Sequence, residues 1–366
     1  MSAPHVIVGL SGGVDSAVAA WRLKEQGYRV SALFMQNWTE DEQAYCTAAE
    51  DFQSARAVAD ELGIPLHRVD FAAEYRERVF RHFLDAYRAG RTPNPDLLCN
   101  REVKFQPFRE HALRLGADFV ATGHYAQLSI DADGLPVLRR SVTEDKDQTY
   151  FLALVARSQF ERVLFPIGDL TKPQVRDLAR QAGLPNHRRK DSTGICFIGE
   201  RPFREFLQRY LSSNPGPMVD DQGAHVGEHQ GLMFYTLGQR RGLHIGGRRG
   251  AREAPWYVAD KRAGDNTLVV TQDPQHPLLM THEIATGPFS WVGAPAPVGQ
   301  ALTARIRHRQ SLQSCTIVDV RDDGALRVRF DAPQRAATPG QYLVLYDHER
   351  CLGGGEITSA TRPPVA

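Results

Sequence analysis

The sequence has few cysteines, and no two of them lie close together. Its five cysteines are scattered over 366 residues and form no C-x-x-C pair, so neither a disulfide scaffold nor a structural zinc site is expected. No stretch approaches the roughly 18 consecutive apolar residues of a membrane helix. The amino terminus also lacks the basic segment and apolar core of a signal peptide. We therefore expect a cytoplasmic protein with no membrane partner.

The sequence also lacks an excess of charge of either sign. Lys and Arg number 44 against 43 Asp and Glu, which gives a net charge of +1. A nucleic-acid partner would therefore be held by local basic patches rather than by the charge of the whole molecule. For any single arginine, a solvated surface charge is the simpler interpretation. Candidate phosphate contacts are the clustered residues Arg188, Arg189, Lys190, Arg240, Arg241, Arg248, Arg249 and Arg252.

The first half of the chain alternates between short apolar runs and segments of helical spacing. Strand-like runs occupy residues 5–10, 29–35, 66–71 and 119–122, and helical spacing recurs between them. Such alternation predicts an α/β domain with a parallel sheet covered on both faces. Ligands of such sheets bind beyond the carboxyl ends of the strands, so the motifs that follow the strands are the candidate site.

Beyond about residue 205 the pattern changes. The string NPGP at residues 214–217 breaks the chain, and residues 238–252 are rich in glycine and arginine. Residues 301–306, 315–320, 326–330 and 342–346 are strand-like, with turns at Asp323-Gly324 and Pro339-Gly340. We predict three domains: a nucleotide-binding domain at 1–205, a small connecting domain at 206–279, and an antiparallel β-barrel at 280–362.

A glycine-rich turn, SGGVDS at residues 11–16, lies between the first predicted strand and the first predicted helix. Its glycines permit a tight backbone approach to a phosphate, and the helix start offers unpaired N–H groups. Asp15 is a candidate ligand for Mg²⁺ against the phosphates. The turn lacks the ending of a Walker A loop, and a bare glycine pair would also suit an ordinary capped helix start. The complete string resembles the loop of adenylating enzymes that cleave ATP between its α and β phosphates.

Two cysteines lie in polar strings, NPDLLCN at residues 94–100 and DSTGICF at residues 191–197. We predict that both strings are loops. Sulfur transfer needs one thiol to carry a persulfide and a second thiolate to reduce it or capture the sulfur. Cys99 and Cys196 would meet that need if the fold brings them together. Asp96 is a candidate general acid or base, whereas Cys46, Cys315 and Cys351 are expected to be buried and inert.

The strings SGGVDS, NPDLLCN, ATGHYA, KDQTYFL and DSTGICFIGER, in this order, resemble the bacterial tRNA-specific 2-thiouridylase family, and the likeness extends over nearly the whole chain. The resemblance implies an adenine nucleotide α-hydrolase-like domain followed by the two smaller domains. It implies that Cys99 is the nucleophile and Cys196 the persulfide carrier, which end as a disulfide. It implies ATP contacts at Gly9, Leu10, Ser11, Gly12, Gly13, Val14, Asp15, Ser16, Met35 and Gly123. It implies tRNA contacts at Asn94, Pro95, Asp96, His124, Lys146, Asp147, Gln148, Arg307, His308 and Gln341.

The reaction that the resemblance implies is conversion of the wobble uridine to 2-thiouridine, with ATP and Mg²⁺, in tRNAs for lysine, glutamate and glutamine. An upstream persulfide protein would donate the sulfur, and no DNA partner is expected. The sequence leaves open whether the persulfide attacks directly or releases hydrosulfide. It also leaves open an iron–sulfur cluster on Cys99, Cys196 and a third ligand such as Asp96, although clusters usually take more thiolates.

Two other functions use some of the same features. A synthetase that joins ammonia or an amino acid to a carboxylate would share the glycine-rich loop but would need no pair of cysteines. A noncatalytic RNA-binding protein with a relic nucleotide fold would not cleave ATP at all. Cysteine variants and the release of pyrophosphate in the presence of tRNA distinguish these functions from sulfur transfer.

Overall fold

The computed structural model describes residues 3–38, 42–190, 203–246 and 254–361, and of residues 42–47 and 203 the backbone alone. The first domain alternates strands and helices, as predicted. In chain order its elements are β1 (His5–Gly9), α1 (Val14–Glu25), β2 (Arg29–Gln36), α2 (Glu42–Leu62), β3 (Leu66–Asp70), α3 (Ala72–Tyr75), α4 (Arg81–Arg88), α5 (Pro95–Cys99), α6 (Arg109–Arg114), β4 (Phe119–Ala121), β5 (Ala126–Ile130), β6 (Pro136–Arg140), α7 (Thr149–Leu152), β7 (Val163–Leu164) and α8 (Lys172–Gln181).

The strands β3, β2, β1, β4 and β7 pair in that order, and every pairing is parallel. The central strand β1 is buried along four of its five residues. This burial explains its continuous apolar run, because helices cover both faces of such a sheet. The predicted parallel sheet is confirmed. Its carboxyl edge carries the segments that follow β1, β4 and β7.

The string that contains Cys99 is helical, so the prediction of a loop is wrong at this position. Asn94 caps α5 by accepting a hydrogen bond from the Asp96 N–H at 3.2 Å, and Pro95 occupies the first turn. Both residue types favour a helix start. A π-helical stretch over Asn100–Phe108 then joins α5 to α6. Stretches of this kind frequently occur at functional sites.

After the first domain come α9 (Phe203–Gln208), β8 (Gly216–Val219), β9 (His225–His229), β10 (Tyr257–Arg262) and β11 (Thr267–Thr271), and these four strands lie in the predicted connecting domain. The barrel follows, with β12 (Met280–Pro288), β13 (Ser290–Trp291), β14 (Ala301–Arg305), β15 (Gln313–Val320), β16 (Ala325–Arg335), β17 (Tyr342–Asp347) and β18 (Arg350–Thr361). Strands β12, β16, β15, β14, β17 and β18 pair antiparallel in that order, and β18 returns to β12 to close the barrel. The predicted barrel is confirmed.

The hairpin β5–β6 of the first domain is a feature that the sequence did not predict. It pairs with the barrel strand β18, where Arg350 faces Arg139 and Cys351 faces Leu138. The sheet of the barrel therefore continues into the nucleotide-binding domain, which fixes the two domains together. Among the described residues, no helix is long and apolar enough to cross a membrane.

Candidate active site

The glycine-rich turn closes on itself through its two serines. Ser16 Oγ accepts from the Ser11 N–H at 3.2 Å and donates to the Gly13 carbonyl at 3.1 Å. Gly12 has a φ of +80°, and a Cβ there would lie 2.4 Å from the Asp51 carbonyl oxygen. Only glycine meets both constraints without strain. The turn is therefore a preformed loop at the start of α1.

Three side chains from outside the loop fix the orientation of the peptide that joins Gly12 to Gly13. The Gly12 carbonyl accepts from Ser54 Oγ at 2.8 Å, Asn186 Nδ2 at 2.9 Å and Arg189 Nη1 at 3.2 Å. Because carbonyl and N–H point in opposite directions across a trans peptide, the Gly13 N–H points away from these three side chains and donates to Ser11 Oγ at 3.4 Å. Arg189 also pairs with Asp51. This arginine, expected to contact tRNA phosphate, thus supports the loop.

Gly123 and Met35 lie beside the loop at the carboxyl edge of the sheet. A Cβ on Gly123 would come within 2.7 Å of Ser16 N and 2.8 Å of Asp15 C, so the backbone after β4 packs directly on the first turn of α1. Met35 is in β2, two residues beyond Leu33, the register partner of Gly9. The fold thus brings together all the residues predicted to contact ATP.

Asp15 is engaged by two side chains from distant parts of the chain. Tyr125 Oη donates to Asp15 Oδ1 at 2.7 Å, and Lys172 Nζ donates to Oδ1 and Oδ2 at 2.7 and 3.0 Å. Mg²⁺ typically takes one or two protein carboxylates together with phosphates and water. Asp15 supplies one such carboxylate beside the loop, so the residues fit a Mg²⁺ ion that arrives with the nucleotide.

Tyr125 connects the loop to the KDQTYFL string. Gln148 Oε1 accepts from the Tyr125 N–H at 2.9 Å, and the Gln148 N–H donates to the Tyr125 carbonyl at 3.0 Å. This string continues into α7, where the Phe151 carbonyl accepts from Asn100 Nδ2 at 2.9 Å. Hydrogen bonds thus run from the glycine-rich loop, here named the phosphate loop for its predicted ligand, to Asn100, which directly follows the helix of Cys99. The sequence segments involved are up to about 110 residues apart.

Cys99 ends α5 with only 6% of its surface exposed, in a core that includes Leu97, Leu98 and Phe108. Asp96 is partly buried on the same helix. Burial raises the pKa of its carboxyl above the ordinary value of 3.8, and the nearby Lys104 opposes that shift. A raised pKa suits a carboxyl that exchanges protons with a substrate. Cys196 lies outside the described residues, so its predicted pairing with Cys99 stays a prediction.

Three of the predicted tRNA contacts are buried, namely Pro95, His124 and Asp147. His124 is 8% exposed, and its Nδ1 lies 2.7 Å from Thr122 Oγ1. Burial and then Lys104 lower its pKa well below 6.5, so the ring is neutral. Asp147 has no exposed surface. Its Oδ1 accepts from Thr149 Oγ1 at 2.8 Å and its Oδ2 from Arg305 Nη1 at 3.0 Å. In this conformation the His124 and Asp147 side chains position their neighbours, and their predicted contact with tRNA stays a prediction.

The predicted contacts from the barrel lie along the seam between the barrel and the first two domains. Arg307 Nη2 donates to the Ala336 carbonyl at 2.8 Å, and burial lowers the pKa of this guanidinium. The His308 ring lies 4.3 Å from the Phe151 ring, and Gln341 Nε2 donates to the Thr92 carbonyl at 2.7 Å. All three barrel residues remain partly exposed, as do Lys146 and Gln148. Together these five residues form the seam surface.

Of the basic residues predicted to contact phosphate, four are exposed, namely Arg188, Lys190, Arg240 and Arg241. Arg248, Arg249 and Arg252 lie outside the described residues.

Sequence reasoning missed Lys172 and Arg305. Lys172 begins α8, which follows β7 at the same edge of the sheet as the loop. A second helix start at that edge was the signal that could have found it. Arg305 is 1% exposed in β14 and pairs with Asp147 and Glu144 of the first domain. No local pattern marks it, because its partners lie about 160 residues away.

The described residues also bear on the iron–sulfur alternative. Within them, no three Cys, His, Asp or Glu side chains are grouped closely enough to hold a metal ion. Cys315 and Cys351 are buried in the barrel, and burial raises the pKa of the Cys315 thiol to about 12 and that of Cys351 further. Neither thiol suits a role as thiolate ligand. The described part of the chain therefore does not form a cluster site by itself.

The parallel sheet, the closed phosphate loop and the attached barrel define a nucleotide-binding α/β protein with two smaller carboxyl-terminal domains. Comparison with family models agrees in domain order. Residues 4–200 match a tRNA methyl transferase HUP domain, residues 204–272 a tRNA methyl transferase PRC-barrel domain, and residues 281–357 an aminomethyltransferase beta-barrel domain.

Curated relatives are similar over nearly the full length. The tRNA-specific 2-thiouridylase MnmA of Alcanivorax borkumensis is 56% identical over 355 residues, which cover 96% of this chain and 97% of that protein. The protein of the same name from Thiobacillus denitrificans is 54% identical, and the match covers 96% of this chain and 99% of that protein. The chain belongs to the tRNA-specific 2-thiouridylase family. Among solved structures, the U34-tRNA thiolase NcsA from Methanococcus maripaludis is 18% identical to this chain, with a TM-score of 0.35. The match covers 56% of this chain and 63% of that one.

Proposed function

We propose that this chain is a tRNA-uridine 2-sulfurtransferase that adenylates the C2 oxygen of the wobble uridine and then replaces it with sulfur. Membership of the family gives the enzyme class, and the steps of the reaction are our proposal. The substrates are a tRNA, ATP and a persulfide sulfur. The products are 2-thiouridine, AMP and pyrophosphate.

Adenylation comes first because a carbonyl oxygen of uracil is a very poor leaving group. The C2 oxygen attacks the α-phosphorus of ATP, the bond to the β-phosphate breaks, and pyrophosphate departs. The start of α1 would stabilise negative charge on the phosphates. Mg²⁺ bound beside Asp15 would add positive charge at the same place.

Sulfur transfer then consumes the persulfide of Cys196. In one order, the outer sulfur attacks C2, AMP leaves, and the Cys99 thiolate attacks Sγ of Cys196 to free the thiolated base. In the other order, Cys99 first reduces the persulfide, and the released hydrosulfide attacks C2. Both orders end with a Cys99–Cys196 disulfide, which an external thiol must reduce before the next turnover. Asp96, whose carboxyl has a raised pKa, would exchange a proton with the uracil ring as general acid or base.

The observation that carries this proposal is the run of hydrogen bonds from Asp15 through Tyr125 and Gln148 to α7 and the helix of Cys99. This run supports a single site in which the adenylated base and the sulfur chemistry share one position. A synthetase acting on a carboxylate would not need a cysteine helix attached to its phosphate loop.

We propose that the seam surface, with Asn94, Pro95 and Asp96, receives the anticodon region of the tRNA. The uridine must leave the stack of the anticodon to reach a site as buried as Cys99, and other enzymes that modify bases extrude them in this way. The tRNAs for lysine, glutamate and glutamine are the proposed substrates. A persulfide-carrying protein is the proposed donor to Cys196.

The test is thiolation of unmodified tRNA with ATP, Mg²⁺ and a persulfide donor, followed by nucleoside digestion and measurement of pyrophosphate. We expect 2-thiouridine at the wobble position and one pyrophosphate per thiolated base. Cys99→Ser and Cys196→Ser should lose the product but still release pyrophosphate, because adenylation precedes sulfur transfer. Cys351→Ser is the matched control, since it removes a buried thiol that the mechanism does not use.

Retention of thiolation in both Cys99→Ser and Cys196→Ser would refute the sulfur relay. Release of pyrophosphate without any thiolated nucleoside in the wild type would leave ATP cleavage in place and would refute the sulfur chemistry. A tRNA that already carries 2-thiouridine at the wobble position lacks the C2 oxygen and should release no pyrophosphate above background if that oxygen is the group that attacks ATP.

A further inference from the structure

The contact between Lys172 and Asp15 has a role that the mechanism above does not assign. The Lys172 side chain is 11% exposed, and both of its hydrogen bonds to Asp15 are charge-assisted, at 2.7 and 3.0 Å. Lys172 is the first residue of α8, whose cap is formed by Thr171 and Gln174. A buried ammonium thus lies beside the phosphate loop and is brought there by a different helix.

The charge around this ammonium favours a further anion. Lys172 is at the amino terminus of α8, and Asp15 is in the first turn of α1. Both helix starts carry partial positive charge, which destabilises a cation and stabilises an anion. The Asp15 carboxylate is thus the one negative group set against the Lys172 ammonium and the partial positive charge of two helix starts. A bound phosphate would neutralise the remaining positive charge.

The contacts of Asp15 allow this carboxylate to change partners. Tyr125 Oη also donates to Asp15, at 2.7 Å. This bond would keep the carboxylate in place if the ammonium moved away. The lysine stem is flexible and carries three rotatable donors, so the ammonium can turn from Asp15 to an anion at the loop without moving α8.

We propose that Lys172 is a phosphate-binding residue of the ATP site, held by Asp15 until nucleotide binds. When ATP occupies the loop, the ammonium moves from Asp15 to a phosphate oxygen and leaves the carboxylate available to the accompanying cation. The inference rests on the proposed binding of ATP at Gly9–Ser16. It assigns to Lys172 the stabilisation of charge on the departing pyrophosphate.

The test measures equilibrium binding of ATP with Mg²⁺ to the full chain without tRNA, by calorimetry, alongside binding of adenosine. Lys172→Met keeps most of the stem and removes the charge. We expect it to weaken ATP binding about 10- to 100-fold, as for the loss of one hydrogen bond to a charged group, and to leave adenosine binding unchanged. Lys172→Arg should retain most of the affinity for ATP. In thiolation assays the KM for ATP should rise while the KM for tRNA stays constant.

Lys261→Met is the matched control, because Lys261 is a buried lysine of the connecting domain that donates to the Tyr235 carbonyl at 3.0 Å. It should bind ATP as the wild type does. Thermal melting identifies any variant that fails to fold, and Lys172→Gln, which keeps a donor for Asp15, then takes the place of Lys172→Met. Wild-type affinity for ATP in the folded neutral variant would overturn the inference, as would equal losses for ATP and adenosine. Failure of the wild type to bind ATP would instead overturn the proposed function, and with it the inference.

Discussion

The buried ion pair between the barrel and the nucleotide-binding domain gives a prediction with a definite magnitude. Arg305 Nη1 donates to Asp147 Oδ2 at 3.0 Å, and the two side chains are 1% and 0% exposed. Arg305→Met would leave the Asp147 carboxylate buried without its main cation. Removing one partner of such a pair costs about 3–5 kcal/mol. Arg140 Nε remains 3.7 Å from the same carboxylate oxygen, so we expect the lower end, about 3 kcal/mol.

The measurement is hydrogen exchange at the junction of the two domains. The Arg140 N–H donates to the Glu349 carbonyl at 2.8 Å, and β6 pairs with β18 through Leu138 and Cys351. These amides exchange when the barrel separates locally from the first domain. A loss of 3 kcal/mol corresponds to about 100-fold faster exchange at these positions. Amides of β1, in the centre of the parallel sheet, should change much less.

Arg329→Met is the matched control within the same barrel. Arg329 pairs with Glu283 at 2.6 Å, but its side chain is 62% exposed. Exposed pairs contribute about 0–1 kcal/mol, so exchange at the junction should stay near that of the wild type. The double variant Arg305→Met with Asp147→Asn should recover part of the loss, because it removes the uncompensated charge. Equal exchange in Arg305→Met and Arg329→Met would refute the reasoning.

Two further predictions concern the site itself. Gly123→Ala should weaken ATP binding, because the added Cβ would lie 2.7 Å from Ser16 N. Gly264→Ala is the control and should leave ATP binding unchanged, because nothing lies within 4 Å of its added Cβ. Equal affinities of the two variants for ATP in a binding titration would contradict this prediction. Asp96→Asn should raise the melting temperature at neutral pH. Burial raises the pKa of Asp96 in the folded state, so the charged carboxyl destabilises the fold above that pKa and the penalty vanishes below the ordinary value of 3.8. The gain in melting temperature should therefore shrink on acidification, and a gain independent of pH would exclude this explanation.

The fold and the phosphate loop were predictable from the sequence because their signals are local. Apolar runs that alternate with helical spacing specify a parallel sheet, and the loop follows β1 directly. The helix of Cys99 also has a local signal, because proline in the first turn after an asparagine cap favours a helix. Pro95 equally suits the boundary of a loop, and that interpretation gives the wrong prediction here.

The contacts of the loop could not be predicted in this way. Asp15 meets Lys172 and Tyr125 across 157 and 110 residues, and such contacts depend on the order of strands in the sheet. The strand order places β7 beside β4, so that α8 starts at the same edge as α1. The hairpin β5–β6 was equally hidden, because its partner strand β18 lies about 200 residues later.

The buried members of the motifs show why residue type alone does not assign a role. Asp147 and Gln148 are neighbours in one string, yet Asp147 is fully buried against Arg305 while Gln148 is partly exposed and holds Tyr125. The first residue connects the string to the barrel, and the second connects it to the phosphate loop. A tRNA that contacts the seam surface would therefore act on a segment that already bonds to both the barrel and the loop. Weakening the Arg305–Asp147 pair should on this argument reduce ATP affinity less than tRNA affinity, because Gln148 and Tyr125 keep their own hydrogen bonds.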